Sequence, residues 1–448
     1  MDHLKIRAAS RRLRQGLLPY ALTITLAVLL VGTAPASAAQ VGYSASAPYH
    51  PVVLKHHNNL VTWSNGVITI AYTLNTGLSS YVWNKLLVAS NADIEANVQG
   101  YPGSGSYGHL QTTDYALHTY ATIPIDDQFG PGTQIQLINT DPRYPSLTVF
   151  INLYDTQSFL LIWGSVTGQN NSTVAANAVY PLVVAPPVGT RKATGKLSIG
   201  STNPANLVLH NGFGNYSISQ YVQAGPSLSN VSYWVGALTD PATSYGVVAG
   251  SVTNDTWKSG VIEQGNRNGG LSVFALDSGV TIKDDDTQST GYDKAPYVSG
   301  TQVSSEKFIF GYYADIHAGL EQYAAVSAQL EPPITWNGPA PMGWGSYGYY
   351  RNSVTEADAL KQATYMAQNL ASLGYSMIQL DNGWEEDWGD WVPNPVSLMA
   401  WTASPAKSTR WASKPASGSP PCSSSHSPRS ISSTPTGCYI ITIIPSTS

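Results

Sequence analysis

Within "MIQLDNGWEEDWGDWVPN" (377–394) a short apolar run delivers Asp381, and polar and indole side chains then crowd together: Asn382, Trp384, Glu385, Glu386, Asp387, Trp388, Asp390 and Trp391. A carboxylate accepts hydrogen bonds from sugar hydroxyls, while an indole face covers the C–H patch of the same ring. These residue types at this spacing point to carbohydrate chemistry. Upstream, "PMGWGSYGYY" (341–350) brings a second apolar run to Trp344, followed by Gly345, Ser346 and Tyr347. The plainer readings are a solvated acidic loop for Glu385, Glu386 and Asp387, a loop cap for Asp381, and a packed core side chain for Trp344.

Two such segments need a frame that sets their ends side by side. Between them, Ser353-Val354-Thr355-Glu356 has capping-box spacing and predicts a helix start. Leu360, Ala363, Ala367 and Leu370 mark its buried face, and Gly374 stands where a terminating glycine belongs. Strand (341–344), helix and strand (376–380) form a βαβ unit, so the two strands should run parallel. Parallel strands followed by helices carry their working residues at the strands' C-terminal ends. Ahead of this unit, "ADIHAGLEQYAAVSAQL" (314–330) predicts a helix with Leu320, Tyr323, Ala324, Ser327 and Leu330 on one face. "EPPITWNGPAP" (331–341) then reads as a stiff Pro-rich linker.

Residues 54–304 have a different texture, short alternating runs punctuated by Gly, Pro, Asn and Asp. In "LVTWSNGVITIAY" (60–72), Asn65-Gly66 separates two β-rich runs and signals a hairpin. "LTVFINLYDTQSFLLIWGSV" (147–166) reads as a strand pair and "YGVVAGSVT" (245–253) as a further strand. So long a series of strands predicts a large antiparallel β-sandwich. Of the 448 residues only 11% are charged, and Gly (40), Tyr (27) and Trp (12) are abundant, which suits an exported β-rich protein. A net charge of −5 without a basic stripe excludes nucleic acid as a partner class.

The first 38 residues carry Arg7, Arg11, Arg12 and Arg14, then an apolar run and Ala36-Ser37-Ala38, the pattern of a secretory signal. The run is too short for a stable membrane anchor. Both cysteines, Cys422 and Cys438, fall in the last segment, so the preceding 421 residues fold without disulfides.

The segments "APMGWGSYGYY", "LGYSMIQLDNGW" and "DWGDWVPNP" resemble the opening of the catalytic barrel in melibiase-type α-galactosidases, the clan uniting glycoside hydrolase families 27 and 36. "EKFIFGYYADIHAGLEQYA" after a β-rich region is similar to the sandwich and linker helix of family 36, the closer of the two. The resemblance implies a multidomain β plus α/β protein: a large N-terminal β-sandwich, then the start of a (β/α)8 TIM barrel that is left incomplete. It implies that Trp344, Asp381, Asn382 and Trp384 bind substrate, an oligo- or polysaccharide with α-galactosyl ends, without metal or cofactor. Asn382 departs from the family's usual second aspartate at that position, exchanging a charge for an amide.

A retaining glycosidase needs two carboxyl groups flanking the scissile bond. The family's pair lies on later barrel strands, the first in a Lys-x-Asp context, and after Asp390 this chain has neither Asp nor Glu. No catalytic residue is therefore assigned. From Val396 onward Ser, Pro and Thr dominate. Joining the third base of each codon there to the first two of the next lets "VSLMAW" encode Phe-Pro-Asp-Gly-Met, its Gly forced by Met399-Ala400. "RWASKPASGSPP" (410–421) likewise permits Leu-Gly-Leu-Lys-Ala-Gly-Leu-Trp-Leu-Ala-Pro, which resembles the family's third strand. The expectation is a one-base slip of reading frame after Pro395, with the expected nucleophile and acid/base downstream of it. The expected organisation is 1–38 signal peptide, 39–313 sandwich, 314–340 linker, 341–395 first barrel strands, and 396–448 out-of-frame disordered tail. The competing reading is a carbohydrate-binding sandwich with a genuine Ser/Pro/Thr stalk, or a fragment without function.

Overall fold

The computed structural model describes residues 49–101, 107–185, 195–212, 218–279, 297–338, 340–387 and 439–442. The signal-peptide segment, Trp388, Asp390, Trp391 and both cysteines lie outside the described residues.

Residues 49–313 build two large antiparallel sheets, of twelve and ten strands. The first runs in the order Val53–His57, Leu60–Ser64, Ile68–Thr73, Leu78–Trp83, Leu86–Gln99, Val174–Val184, Leu271–Ser278, Ser259–Gly265, Ser229–Tyr233. The second runs Gln220–Gln223, Leu207–His210, Val235–Thr239, Gly246–Ser251, Phe308–Tyr313, Phe159–Thr167, Tyr144–Tyr154, Gly130–Asp141, Leu117–Asp127. The expected sandwich is observed. Alternation sets its faces: Ile68, Ile70 and Tyr72 are buried while the residues between them are half-exposed. Between the sheets, Phe310 meets Trp83 and Tyr81 edge-on, at centroid distances of 5.2 and 5.8 Å, and Phe274 at 6.0 Å.

The strand pair expected over 147–166 forms between Tyr144–Tyr154 and Phe159–Thr167, with Leu153 opposite Leu160 and Leu147 opposite Val166. Gly246–Ser251 is a strand buried along its whole length. The hairpin at Asn65-Gly66 also forms, with more work for Asn65 than a turn requires. Its Oδ1 accepts from the backbone N–H groups of Val67 (3.0 Å) and Ile68 (2.7 Å). Its Nδ2 donates to the carbonyls of Tyr154 and Gln157, which ties the hairpin to the other sheet.

The helix Ile316–Leu330 begins at Asp315, whose side chain accepts from the His317 N–H. Its packed face is Ile316, Gly319, Tyr323, Val326 and Leu330, and Ala324, expected on that face, is exposed. The cause lies at Gly319. A Cβ there would come within 2.6 Å of the Tyr313 ring and 2.8 Å of Val248, so the bare backbone is what lets the helix seat on the second sheet.

After the linker, Gly343–Gly345 and Met377–Leu380 pair in parallel, Trp344 opposite Ile378, with the helix Glu356–Asn369 connecting them. The helix cap sits two residues beyond the expected one: Thr355 is the N-cap and shares a capping box with Asp358. Its buried residues are Ala359 and Met366, with Ala363, Ala367 and Leu370 partly covered, while Leu360, expected inside, is 41% exposed. Gly374 takes the left-handed conformation (φ 93°) as expected, after a short 3-10 turn, Ala371–Leu373. The far edge of Met377–Leu380 is paired with Tyr439–Thr442, antiparallel, four residues from within the segment expected to be a disordered tail. An antiparallel partner needs no crossover, so a segment far along the chain can take the edge. Among the described residues no helix is long and apolar enough to cross a membrane.

Candidate functional site

The two parallel strands end together, and one hydroxyl joins their ends. Ser346, fully buried, accepts from the backbone N–H of Asp381 at Oγ (2.9 Å) and donates its own N–H to the Gln379 carbonyl (3.1 Å). The same residue's carbonyl accepts from Tyr350 N–H (3.0 Å), which folds the following turn back over the strand end. Ser346 was visible in the sequence, but its partner depends on the register of two strands 35 residues apart.

Asp381 is half-buried at the C-terminal end of Met377–Leu380. Its Oδ1 accepts from the Asn382 N–H (2.7 Å), and its Oδ2 lies 3.4 Å from Gln379 Nε2. The carboxylate is thus held by donors of its own segment. Gly383 makes the sharp turn behind it, with φ 105° and Asn352 so close that a Cβ would lie 2.4 Å from its Cα. Glu385, nearly buried, reaches back to accept from the Gly383 N–H (3.1 Å). It serves the loop, and so departs from the solvated role its spacing suggested; Glu386 and Asp387 are exposed.

Trp344 is half-buried and meets Tyr350 edge-on, with centroids 5.9 Å apart. Trp384 is 4% exposed within a small core of Val354, Ala359, Met366, Ile378 and Leu380, against which Trp344 packs. Asn382 is 6% exposed. Of the four expected substrate-binding residues, the structure therefore brings Trp344, Asp381, Asn382 and Trp384 to one end of one small unit. Trp384 and Asn382 face inward there, whereas Asp381 and Trp344 keep accessible surface. The core also covers Ile378 and Leu380.

A second polar constellation lies on the sandwich. His109 Nε2 stands 3.0 Å from Glu95 Oε2 and its Nδ1 2.9 Å from Asn97 Oδ1. Burial lowers His109 below its ordinary value more strongly than Asp93 and Asp114 raise it. The period-two run Asp93, Glu95, Asn97 was the signal for this face in the sequence. Among the described residues, no group of three or more His, Cys, Asp or Glu is placed to hold a metal ion.

No protein-family model matches the chain, and no curated protein sequence does. Among solved structures, it is distantly similar to the α-N-acetylgalactosaminidase NagBb from Bifidobacterium bifidum, in complex with GalNAc (11% identity, TM-score 0.43, covering 77% of this chain and 54% of that one). It is similar at the same distance to the family 36 α-galactosidase AgaA from Geobacillus stearothermophilus (10% identity, TM-score 0.44, 77% and 52%). A β-arabinopyranosidase follows at 9% identity and a TM-score of 0.39, covering 72% of this chain and 49% of that one. The chain thus spans about half the length of the solved structures it resembles.

Proposed function

We propose that this is an exported glycoside hydrolase of α-galactosidase type whose sugar-binding loop is present and whose catalytic carboxyl pair is not. The observation that carries the reading is the joined strand end. Asp381 sits at the C-terminal end of the second of two parallel strands, bonded through Ser346 to the end of the first. That is where a (β/α)8 barrel collects its working residues. On this reading 341–395 is the beginning of such a barrel, 39–313 its sandwich, and 314–340 the linker. The intact enzyme acts on terminal α-galactosides with retention, Asp381 bonding hydroxyls of the terminal sugar and Trp344 lining its pocket, while Asn382 and Trp384, buried behind them, hold the loop in place. The chain as it stands does not turn substrate over. Glu385 is no substitute for a second carboxyl, because it shares a loop with Asp381 and is occupied by the Gly383 N–H.

The test uses the enzyme with its reading frame restored after Pro395. Asp381→Ala removes a charge-assisted hydrogen bond to the sugar and should cost about 1.5–3 kcal/mol in kcat/KM on a nitrophenyl α-galactoside. An unchanged kcat/KM would show that Asp381 serves only its loop.

A further inference from the structure

The turn between the first strand and the helix carries aromatic surface that the terminal-sugar site does not use. Tyr349 is 83% exposed and Tyr347 39%. Tyr349 ends a row of rings: Tyr350 meets Trp344 edge-on, and Tyr349 meets Tyr350 edge-on at 4.9 Å. The row therefore leads from the half-buried Trp344 outward into solvent. The Arg351 guanidinium lies 5.8 Å from the centre of the Tyr347 ring, adding N–H donors beside the exposed faces.

This row is fixed to the Asp381 loop. Ser346 bonds both segments, and Gly383 is wedged against Asn352. There is also room above it: a Cβ built on Gly345 or on Gly348 would meet no atom within 4 Å. The other exposed apolar side chains of this unit are placed differently. Met342 and Leu373 stand before the two strands, at the end away from Asp381, and Leu360 and Tyr365 lie on the helix.

We propose that Tyr347 and Tyr349 form a stacking shelf for the second sugar of a galactoside, the one that follows the terminal residue. This rests on the reading of Asp381 as a ligand of that terminal residue. The chemistry fits a saccharide. Flat rings present C–H-binding faces, a guanidinium offers donors to hydroxyls, and the two glycines leave the backbone open to close approach. A shelf of this kind makes selectivity depend on what is linked to the galactose.

Ligand-observed NMR titration of the full chain with galactose and with melibiose, an α-galactosyl disaccharide, tests this. Melibiose should bind more tightly than galactose, and Tyr349→Ala should erase that advantage, about three- to tenfold, while leaving galactose unchanged. Tyr349→Phe should keep the advantage, because stacking does not need the hydroxyl. Equal melibiose affinity in wild type and Tyr349→Ala, with binding lost in Asp381→Ala, overturns the shelf and leaves the Asp381 reading standing. Binding of either sugar that survives Asp381→Ala overturns that reading and the shelf with it. No binding of either sugar by the wild-type chain also refutes both.

Discussion

In the sandwich, Phe310 meets Tyr81, Trp83 and Phe274 across the gap between sheets of twelve and ten strands. In the unit around Asp381, two parallel strands and one helix share a core of six buried residues, and Tyr349, Leu373 and Tyr365 project into solvent. The first region buries Trp, Tyr and Phe completely, in a continuous core that runs the length of the domain. The second rests on a far smaller apolar core. Stability and candidate chemistry thus reside in different parts of the molecule. A variant of one should leave the other nearly unmoved.

The largest expected effect lies in the sandwich. Phe310→Ala removes the ring that touches both sheets and should lower unfolding free energy by about 3–5 kcal/mol, read from the main denaturant transition. The same transition should stay within error for Trp384→Ala, although Trp384 is buried in its own core. If Trp384→Ala also shifts the main transition by kilocalories, the two regions fold as one and the comparison fails.

A pH series sharpens the contrast further. Asp277 is 3% exposed within the first sheet, and burial pushes its carboxyl up to about 7. Its folded value exceeds its unfolded one, so its protonated form fits the fold. The associated stability is complete below the ordinary carboxylate range and is lost as pH rises through about 7. Asp277→Asn removes that loss, so the variant should gain on the wild type in thermal midpoint between pH 5 and pH 8. A constant difference across that interval would contradict it.

The smallest effect expected is local. Thr355→Ala breaks the capping box with Asp358 and should cost the crossover helix about 1 kcal/mol. Hydrogen exchange should then accelerate in Glu356–Asn369 and leave Phe308–Tyr313 unchanged.

The sandwich was legible because alternation is a two-residue pattern: Ile68, Ile70 and Tyr72 announce their face without reference to any other strand. The helical faces were legible only in outline. Ala324 and Leu360 fit the helical spacing as well as their buried neighbours do, and tertiary contacts such as that of Gly319 with Tyr313 decide the rotation. Ser353 and Thr355 offer the same cap chemistry, and only the turn made by Arg351–Ser353 selects the latter. At the site, Asp381 and Trp344 stood out by type and spacing. The role of Ser346 did not, because a buried hydroxyl's partner is set by strand register, which local sequence does not encode. The antiparallel cap by Tyr439–Thr442 was invisible for the same reason, being a pairing across about 60 residues of chain.

On the proposed function, this chain carries the sugar-binding loop of a glycosidase without its catalytic pair. A retaining mechanism needs a second carboxyl about 5 Å from the first. The most direct measurement compares hydrolysis of a nitrophenyl α-galactoside by the purified chain and by the product of the same gene read onward with one base corrected after the Pro395 codon. The first should give no turnover above buffer and the second clear turnover. Turnover by the uncorrected chain that disappears in Asp381→Asn would contradict it.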